Sequence, residues 1–297
     1  MSTGGTGHPA DPRRSLLDWY GPRRRAYPWR RTRDPYRIWV SEIMLQQTQA
    51  SRVVPAYRRF LRRFPTLASL ASAPSGAVIA AWDGLGYNRR AVALSRAARM
   101  IVESGGGIPS DPTALERLPG IGPYTAAAVA SIAFGLSIPA VDTNVRRIVA
   151  RVSVGADPRE VPSWRIAELA GRWIAAEDPG GWNQALMDLG REVCRPRPRC
   201  AECPLRASCR FADIDHPAAP GRGRSSRFEG STRQVRGAVV RSLRGSPGAT
   251  LGAISARTGF SLTRVVEVVA ALSSDGLIHA GPAALEGRPA GRVRLPD

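Results

Sequence analysis

The sequence predicts an all-α protein followed by a small winged-helix-like module, and three observations lead to that prediction. Between Ser15 and Phe211, apolar residues recur three and four positions apart without sustained alternation, which is the periodicity of amphipathic helices. Residues 216–230, HPAAPGRGRSSRFEG, mix Pro, Gly, Ser and Arg without apolar periodicity, so they predict a linker. After the linker, three helical segments precede two short strand-like runs, which is the order of a winged helix.

Glycine and proline interrupt the helical part and separate its elements. The predicted helices are Leu16–Tyr20, Pro35–Thr48, Ser51–Phe64, Ser75–Asp83, Asn88–Glu103, Pro112–Leu118, Tyr124–Phe134, Thr143–Val152, Pro162–Ala176 and Trp182–Val193. In the module, a helical face of Val235, Val239, Val240 and Leu243 precedes the helix pair Leu251–Thr258 and Ser261–Ser273, and Leu277–Ala280 and Arg292–Leu295 are expected to pair as strands. Whether this module binds DNA or packs against the helical part stays open at this point.

The chain is strongly basic. It has 297 residues, 43 basic against 24 acidic, and a formal net charge of +19, so a polyanion is the expected partner. It contains no lysine, which excludes any mechanism that needs a side-chain amine, such as a lysine Schiff base. No apolar run approaches the ~20 residues of a membrane span, and residues 1–14 lack the apolar segment of a secretion signal. We therefore expect no membrane partner, a cytoplasmic, nucleoid-associated protein and a disordered segment over residues 1–14.

Four cysteines lie close together in the sequence, at Cys194, Cys200, Cys203 and Cys209. In a chain expected to be cytosolic, such a group predicts a metal or iron–sulfur site rather than disulfides. Four thiolates suit both a [4Fe–4S] cluster and tetrahedral zinc. The spacing alone leaves both alternatives open.

A glycine-containing hairpin, Leu118-Pro119-Gly120-Ile121-Gly122, separates two of the predicted helices, and Pro123 suits the first turn of the second. Two glycines one residue apart allow backbone N–H groups to converge on one point, which suits a phosphate oxygen. A Gly-x-Gly alone is more typical of an ordinary helix–helix turn. The residues that follow the hairpin favour the phosphate-binding alternative.

The run LPGIGPYTA at 118–126, followed by VDTNVRR at 141–147, resembles the helix-hairpin-helix DNA glycosylases of the endonuclease III superfamily. Upstream, SEIMLQQT at 41–48 and WDGLGY at 82–87 resemble the MutY-type adenine glycosylase branch, and the similarity covers roughly residues 15–211. It implies a cluster-bearing domain of residues 15–29 and 137–215, a six-helix domain of 30–136 with the hairpin, the linker, and the module at 231–297. It also favours the [4Fe–4S] cluster over zinc.

Cleavage of an N-glycosidic bond requires a proton donor for the departing base and an anion that stabilises an oxocarbenium-like sugar. Glu42 is the candidate donor, because Ile38, Trp39 and Leu45 surround it on the predicted helix and an apolar neighbourhood raises a carboxyl pKa. Asp142 directly precedes the predicted helix Thr143–Val152, where the amide dipoles favour an ionised carboxylate. As an isolated residue, Asp142 would be read as a plain N-cap.

The resemblance implies further roles. Asp142 stabilises the sugar cation, Asn144 helps to orient that chemistry, and Tyr124 occupies the position of the attacking lysine in bifunctional relatives. Gln47 and Tyr87 would wedge into the duplex while the target nucleotide is flipped out. The residues expected to contact DNA are Gln47, Tyr87, Leu118, Gly120, Gly122 and Arg146.

Three features depart from the resemblance. Five residues, rather than six, separate Cys194 from Cys200, the residue after Tyr87 is Asn88 rather than a second aromatic, and the module is too short for a Nudix-like domain.

The expected function is a monofunctional glycosylase of base excision repair, without lysine-dependent lyase activity, acting as a monomer on double-stranded DNA with a mismatched or damaged base. Its expected target is adenine opposite 8-oxoguanine or guanine. The alternatives are removal of thymine or uracil opposite guanine, removal of another modified base, and a non-catalytic DNA-binding protein.

Overall fold

The structure, a computed structural model, describes residues 11–212 and 228–297 and is mostly helical, which confirms the predicted fold class. The helices are α1 Pro12–Tyr20, α2 Pro35–Leu45, α3 Ala50–Arg63, α4 Leu67–Ala71, α5 Ser75–Ala81, α6 Arg89–Glu103, α7 Pro112–Glu116, α8 Pro123–Phe134, α9 Thr143–Val149, α10 Ser163–Trp173, α11 Pro179–Glu192, α12 Thr232–Ser242, α13 Leu251–Thr258, α14 Leu262–Ser274 and α15 Pro282–Leu285. The strands are β1 Ala249–Thr250, β2 His279–Ala280 and β3 Arg292–Arg294. None of the described helices is both long and apolar enough to cross a membrane.

The expectation of disorder over residues 1–14 was wrong for its last residues. Helix α1 begins at Pro12, because the Asp11 side chain accepts a hydrogen bond of 3.0 Å from the Arg13 N–H and caps the helix. Residues 1–10, and the part of the predicted linker at 216–227, lie outside the described residues.

Helix α2 ends three residues before the predicted end at Thr48. Gln47 adopts a left-handed backbone with φ +54°, which no helix can continue through. Three short elements, α4, α15 and β1, were not predicted, since two to five residues show too little periodicity.

The contacts divide the described residues into two units. The first unit comprises residues 11–42, 109–117 and 121–212, and the second comprises 43–108, 118–120 and 228–297. This grouping places residues 30–42 and 121–136 with the segment of the cysteines. The predicted domain boundary at residue 136 therefore stays a prediction.

Helix α8 is the central element of the first unit. Its sequence, PYTAAAVASIAF, is apolar on all sides, and the residues from Thr125 to Ile132 are all buried. It packs against α7 and α11, while α9 packs against α10 and α11 and α1 packs against α11. A Cβ at Gly180 would lie 3.1 Å from the Cα of Ile132, so a glycine permits the close approach of α11 to α8. Burial of large side chains such as Trp182 contributes about 2–3 kcal/mol each.

In the second unit, α6 packs against α4 and α5, and α3 packs against α5. In the module, α12, α13 and α14 pack against one another, and an antiparallel sheet of order β1-β3-β2 follows from the pairs Ala249↔Val293 and His279↔Arg294. This arrangement agrees with the predicted winged-helix-like module, with a third strand in place of a simple hairpin.

The module packs against residues 43–108 within the second unit. The backbone N–H groups of Ser75 and Gly76, at the start of α5, donate to the carbonyls of Asp297 and Pro296 at 3.0 and 2.7 Å. These contacts support the packing alternative for the module, while its contact with DNA stays a hypothesis.

Candidate active site

Glu42 is a carboxylic acid inside an apolar core. Its helix, α2, has the sequence PYRIWVSEIML, and the neighbouring residues Trp39 and Ile43 are at most 2% exposed, so Glu42 itself is only 6% exposed. Burial raises its pKa from 4.5 to about 7, the Tyr124 hydrogen bond and the Arg30 charge oppose that rise, and the charge of Asp142 adds to it. Glu42 is therefore available both as a proton donor and as a base near neutral pH.

Tyr124 is the direct partner of this carboxyl group. It lies in the first turn of α8, and its hydroxyl donates to Oε2 of Glu42 at 3.1 Å and lies 3.4 Å from Sδ of Met187 on α11. Burial, together with the charges of Glu42 and Asp142, raises the Tyr124 pKa well above its ordinary value, so the phenol stays protonated and acts as a donor.

Asp142 is held by the start of α9. Its Oδ1 accepts from the backbone N–H groups of Asn144 and Val145 at 2.8 and 2.7 Å, and its Oδ2 accepts from Nδ2 of Asn144 at 2.8 Å. Three N–H donors and the positive end of the helix dipole suit a carboxylate. Asp142 is thus the N-cap of α9 and Asn144 is one of its donors, while the roles of both residues in the chemistry stay predictions.

The segment that leads to Asp142 is fixed by Asn183, a fully buried residue of α11. Its Oδ1 accepts from the Ala140 N–H at 2.8 Å, and its Nδ2 donates to the Ser131 hydroxyl and the Ile138 carbonyl at 2.9 and 3.0 Å. Because every polar atom of this amide is bonded within the core, the segment before Asp142 has one defined position.

Arg147 connects Asp142 to the cysteine-bearing segment. Its Nη2 donates to Oδ1 of Asn144 at 2.9 Å, and its Nε donates to the Cys194 carbonyl at 2.7 Å. A Cβ at Gly190 would lie only 2.5 Å from the Cβ of Asn144. Helix α11 can therefore approach Asn144 this closely only because residue 190 is a glycine. Sequence reasoning did not assign roles to Arg147, Asn183 or Gly190, although Arg147 lies within the quoted VDTNVRR run.

Arg30 and Asp188 form a buried bidentate ion pair beside these groups. Both nitrogen–oxygen distances are 2.8 Å, and the side chains are 8% and 5% exposed. The charge of Arg30 lowers the pKa of Glu42. Arg30 therefore limits how far burial raises that pKa.

The four cysteines line one pocket. Cys194, Cys200, Cys203 and Cys209 surround it together with apolar side chains that include Ile148, Leu189 and Phe211. Burial raises the pKa of the Cys203 thiol to about 11, against a backbone hydrogen bond at Leu205 that lowers it. Four thiols that line one pocket fit a [4Fe–4S] cluster and equally a tetrahedral zinc ion.

Arg151 packs this pocket against the helical core. It is buried, its guanidinium lies 4.6 Å from the Phe211 ring centre, and its Nη1 donates to the Arg195 carbonyl at 2.7 Å and lies 3.6 Å from Sγ of Cys194. Arg151 thus joins the Cys194 side of the pocket to the Phe211 side.

The two residues expected to wedge into DNA share an unusual backbone. Gln47 and Tyr87, with φ +54° and +47°, are the described non-glycine residues with positive φ, and both are exposed. Such conformations cost about 1 kcal/mol or more and persist where surrounding contacts impose them. The hairpin has a related feature: Gly120 has φ +80°, and a Cβ there would lie 2.8 Å from the Cβ of Ala93.

Of the predicted catalytic residues, Tyr124 contacts Glu42 and Asn144 contacts Asp142, and all four lie in the first unit. Their roles in catalysis stay predictions. Gln47, Tyr87, Leu118 and Gly120 lie in the second unit, and Gly122 is the N-cap of α8. Arg146, expected to contact DNA, donates instead to the Pro158 carbonyl at 3.1 Å and the Ser163 hydroxyl at 2.9 Å. Its contact with DNA stays a prediction.

The comparisons with known proteins identify similar DNA repair proteins. Residues 40–163 match the sequence profile of the HhH-GPD superfamily base excision DNA repair proteins. The chain is 42% identical over 234 residues to an adenine DNA glycosylase of Mycolicibacterium smegmatis, covering 78% of this chain and 80% of that protein. It is 43% identical over 232 residues to an adenine DNA glycosylase of Rattus norvegicus, covering 74% of this chain and only 44% of the rat protein.

A solved structure of a thermostable thymine-DNA glycosylase superposes with a TM-score of 0.63 at 31% identity, covering 67% of this chain and 94% of that one. The chain thus shares a fold over nearly the whole of that structure, but it spans less than half of the rat relative.

Proposed function

The chain belongs to the adenine glycosylase branch of the HhH-GPD superfamily of base excision DNA repair proteins, and from this membership we propose that it hydrolyses the N-glycosidic bond of adenine opposite 8-oxoguanine or guanine in double-stranded DNA. The observation that supports the chemistry is the buried Glu42 carboxyl group, with a pKa of about 7, hydrogen-bonded to Tyr124 in the same unit as Asp142.

In the proposed reaction, protonated Glu42 donates its proton to a ring nitrogen of the flipped adenine. The carbon–nitrogen bond then breaks with its electron pair moving to the base, and the Asp142 carboxylate stabilises the positive charge left on the sugar. Glu42, now ionised, accepts a proton from the water that attacks the sugar carbon. The products are free adenine and an abasic site, and Glu42 regains its proton.

The absence of lysine from the sequence supports a monofunctional enzyme. Strand cleavage by relatives with lyase activity requires an amine that attacks the sugar. Here Tyr124 takes that position, and its hydroxyl is bonded to Glu42. We therefore propose that the abasic strand is left intact and that a single chain carries out the reaction.

We propose that the cysteine pocket holds a [4Fe–4S] cluster, with Cys194, Cys200, Cys203 and Cys209 as ligands. When bound, such a cluster would supply a rigid, charged support rather than chemistry on the base. The chain's own residues connect the pocket to the site, since Arg147 contacts both the Cys194 carbonyl and Asn144.

The test is an excision assay with the purified protein. Duplexes with A:8-oxoG, A:G, T:G and U:G pairs are incubated with protein, and alkali then cleaves any abasic strand. We expect cleavage of the adenine strand in A:8-oxoG and A:G after alkali only. Activity confined to T:G or U:G would instead support the mismatch thymine or uracil alternative, and cleavage without alkali would refute the monofunctional proposal.

Two glutamine variants test the general acid. Glu42→Gln is expected to abolish turnover while DNA binding, measured by fluorescence anisotropy, is retained. The control is Glu116→Gln, which changes an exposed carboxylate on α7 and is expected to be fully active. An active Glu42→Gln protein would remove the proposed proton donor.

A further inference from the structure

Arg90 is a half-buried residue in the first turn of α6, and all of its hydrogen-bond partners are neutral oxygen atoms. Its Nη1 donates to the carbonyls of Ile43, Met44 and Gln46 at 2.8, 3.0 and 2.6 Å. Its Nη2 donates to the Thr48 hydroxyl and to the carbonyls of Leu85 and Gly86 at 3.1, 3.2 and 3.1 Å. The two nitrogens thus contact two segments that are 37 residues or more apart in the sequence.

Each of these segments contains one of the two strained residues. We call residues 45–48 the Gln47 turn and residues 82–88 the Tyr87 loop. Gln47 has φ +54° and Tyr87 has φ +47°, and the Arg90 guanidinium carbon lies 5.7 Å from the Tyr87 ring centre and 5.5 Å from that of Trp82. Strained backbone persists only where its surroundings impose it, and the contacts of Arg90 lie immediately beside both positions.

The carbonyls bound by Arg90 lie outside regular helix and strand bonding, and those of Leu85 and Gly86 also accept from the Thr48 hydroxyl at 3.4 Å and from Nε1 of Trp82 at 3.2 Å, respectively. Those of Ile43 and Met44 belong to the last turn of α2, where a helix has unsatisfied carbonyl groups. Those of Gln46 and Gly86 adjoin the positive-φ residues. A planar guanidinium presents its N–H groups in a fixed fork, so each terminal nitrogen can bond one segment, whereas a lysine ammonium offers a single nitrogen.

Burying the charged Arg90 side chain costs free energy, which indicates that its hydrogen bonds hold one well-defined geometry. Burial lowers the pKa of Arg90 to about 10, so the side chain is still charged near neutral pH, and its Nε–H is buried with no hydrogen-bond partner among the described residues. A desolvated cation whose bonds all go to backbone and hydroxyl oxygens is costly unless the bonded geometry is well formed.

We propose that Arg90 is a positioning residue that joins the Gln47 turn and the Tyr87 loop into one rigid wedge for the DNA duplex. It would act on nucleotide flipping by keeping both side chains at a fixed spacing, and it would not touch the target base. This inference rests on the proposed glycosylase function, since that function supplies the reason for a wedge.

The variants are Arg90→Met, which removes the donors, and Arg90→Lys, which keeps the charge but not the fork. The matched control is Arg99→Met. Arg99 is a half-buried arginine of the same helix that bonds the carbonyls of Ala71 and Ala73 and the Ser75 hydroxyl at 3.0–3.2 Å, beside segments without a proposed DNA contact. Urea unfolding of each variant selects the conditions under which all are folded.

Two readouts are measured on the full chain. Unstacking of the target nucleotide is followed by the fluorescence of 2-aminopurine placed opposite 8-oxoguanine, and the excision rate is measured under single-turnover conditions with adenine at that position. We expect Arg90→Met and Arg90→Lys to lose most of the fluorescence increase and to lower the excision rate about 10- to 100-fold. Arg99→Met is expected to keep both readouts near those of the unchanged protein.

A double-mutant cycle with Gln47→Ala separates a positioning role from a general structural one. If Arg90 acts through the wedge, Gln47→Ala lowers the rate much less in the Arg90→Met background than in the Arg99→Met background. Additive losses, or equal losses for the Arg90 and Arg99 variants, would overturn the proposal. If Arg90→Met fails to fold, Thr48→Val tests the same network by removing the hydroxyl that accepts from Arg90 and donates to the Leu85 carbonyl at 3.4 Å. An unchanged fluorescence signal in that variant would count against the proposal.

The failure of the wedge is distinguishable from the failure of the proposed function. An unchanged protein that excises no adenine from any duplex refutes the proposed function, whereas its 2-aminopurine signal still reports unstacking. Normal excision together with insensitivity to the Arg90 substitutions refutes the wedge alone.

Discussion

Replacing Glu42 by glutamine is expected to stabilise the folded protein at neutral and alkaline pH while it abolishes excision. The reason is that the unchanged protein buries a carboxyl group whose pKa is raised from 4.5 to about 7. One pKa unit corresponds to about 1.4 kcal/mol, so ionised Glu42 destabilises the folded state by about 3 kcal/mol relative to the protonated form. Glutamine has nearly the same shape, and its Oε1 can still accept from the Tyr124 hydroxyl.

The sign of the pH dependence follows from proton binding. Between pH 4.5 and about 7, the folded protein holds a proton on Glu42 that the unfolded chain has lost, so this carboxyl makes the free energy of unfolding fall as pH rises through that window. Above about pH 7 both states are ionised and its contribution is constant. The variant lacks the carboxyl, and other titrating groups cancel in the comparison.

The assay is urea unfolding of both proteins at a series of pH values from 5 to 8.5, with the denaturant slope compared to check that the transition stays two-state. We expect the variant's advantage to grow by about 2–3 kcal/mol across this range. Glu116→Gln, which changes an exposed carboxylate, is expected to show no such trend. If the free energies of unfolding of the Glu42→Gln and unchanged proteins run parallel with pH, the raised pKa of a buried Glu42 is refuted.

Substitutions at four other positions test the rest of the site. Tyr124→Phe removes a hydrogen bond that lowers the pKa of Glu42, so the pH above which the excision rate falls should rise by about one unit. A pH–rate profile whose alkaline side is unchanged would contradict this prediction. Asp142→Asn should keep most of the helix cap while Asp142→Ala loses about 1 kcal/mol by urea unfolding, and both should be inactive; turnover by the Asn variant would exclude a required anion. Gly120→Ala, with φ +80° and a carbon atom 2.8 Å from the new Cβ, should destabilise by about 1–3 kcal/mol, whereas Gly122→Ala has open space and should cost less.

Local sequence was sufficient for the features that depend on local structure. The helical periodicity, the N-cap at Asp142 and the Pro123 start of α8 were predicted because each is set by residues within a turn or two. The apolar neighbours of Glu42 on its own helix likewise predicted a raised pKa, and the structure agrees in direction. The recognition of the two carboxylates as a pair came from the motifs.

Contacts between remote segments could not be read in the same way. The hydroxyl that bonds Glu42 comes from Tyr124, 82 residues away, and the amide that fixes the approach to Asp142 comes from Asn183. Helix α2 ends at Leu45 rather than Thr48, because no local signal in Leu45-Gln46-Gln47-Thr48 indicates a left-handed residue. Arg90 gave no sequence signal at all, being one of 43 arginines.

For this protein, the sequence by itself determined the helical class, the chemical inventory of two carboxylates and four thiols, and the exclusion of lysine chemistry. The tertiary structure decided how much the pKa of Glu42 is raised, which donors orient Asp142 and which side chain joins the Gln47 turn to the Tyr87 loop. The physical reason is that residue type and spacing define local conformation, whereas desolvation, hydrogen-bond partners and imposed backbone strain depend on which distant segments fill the surrounding space.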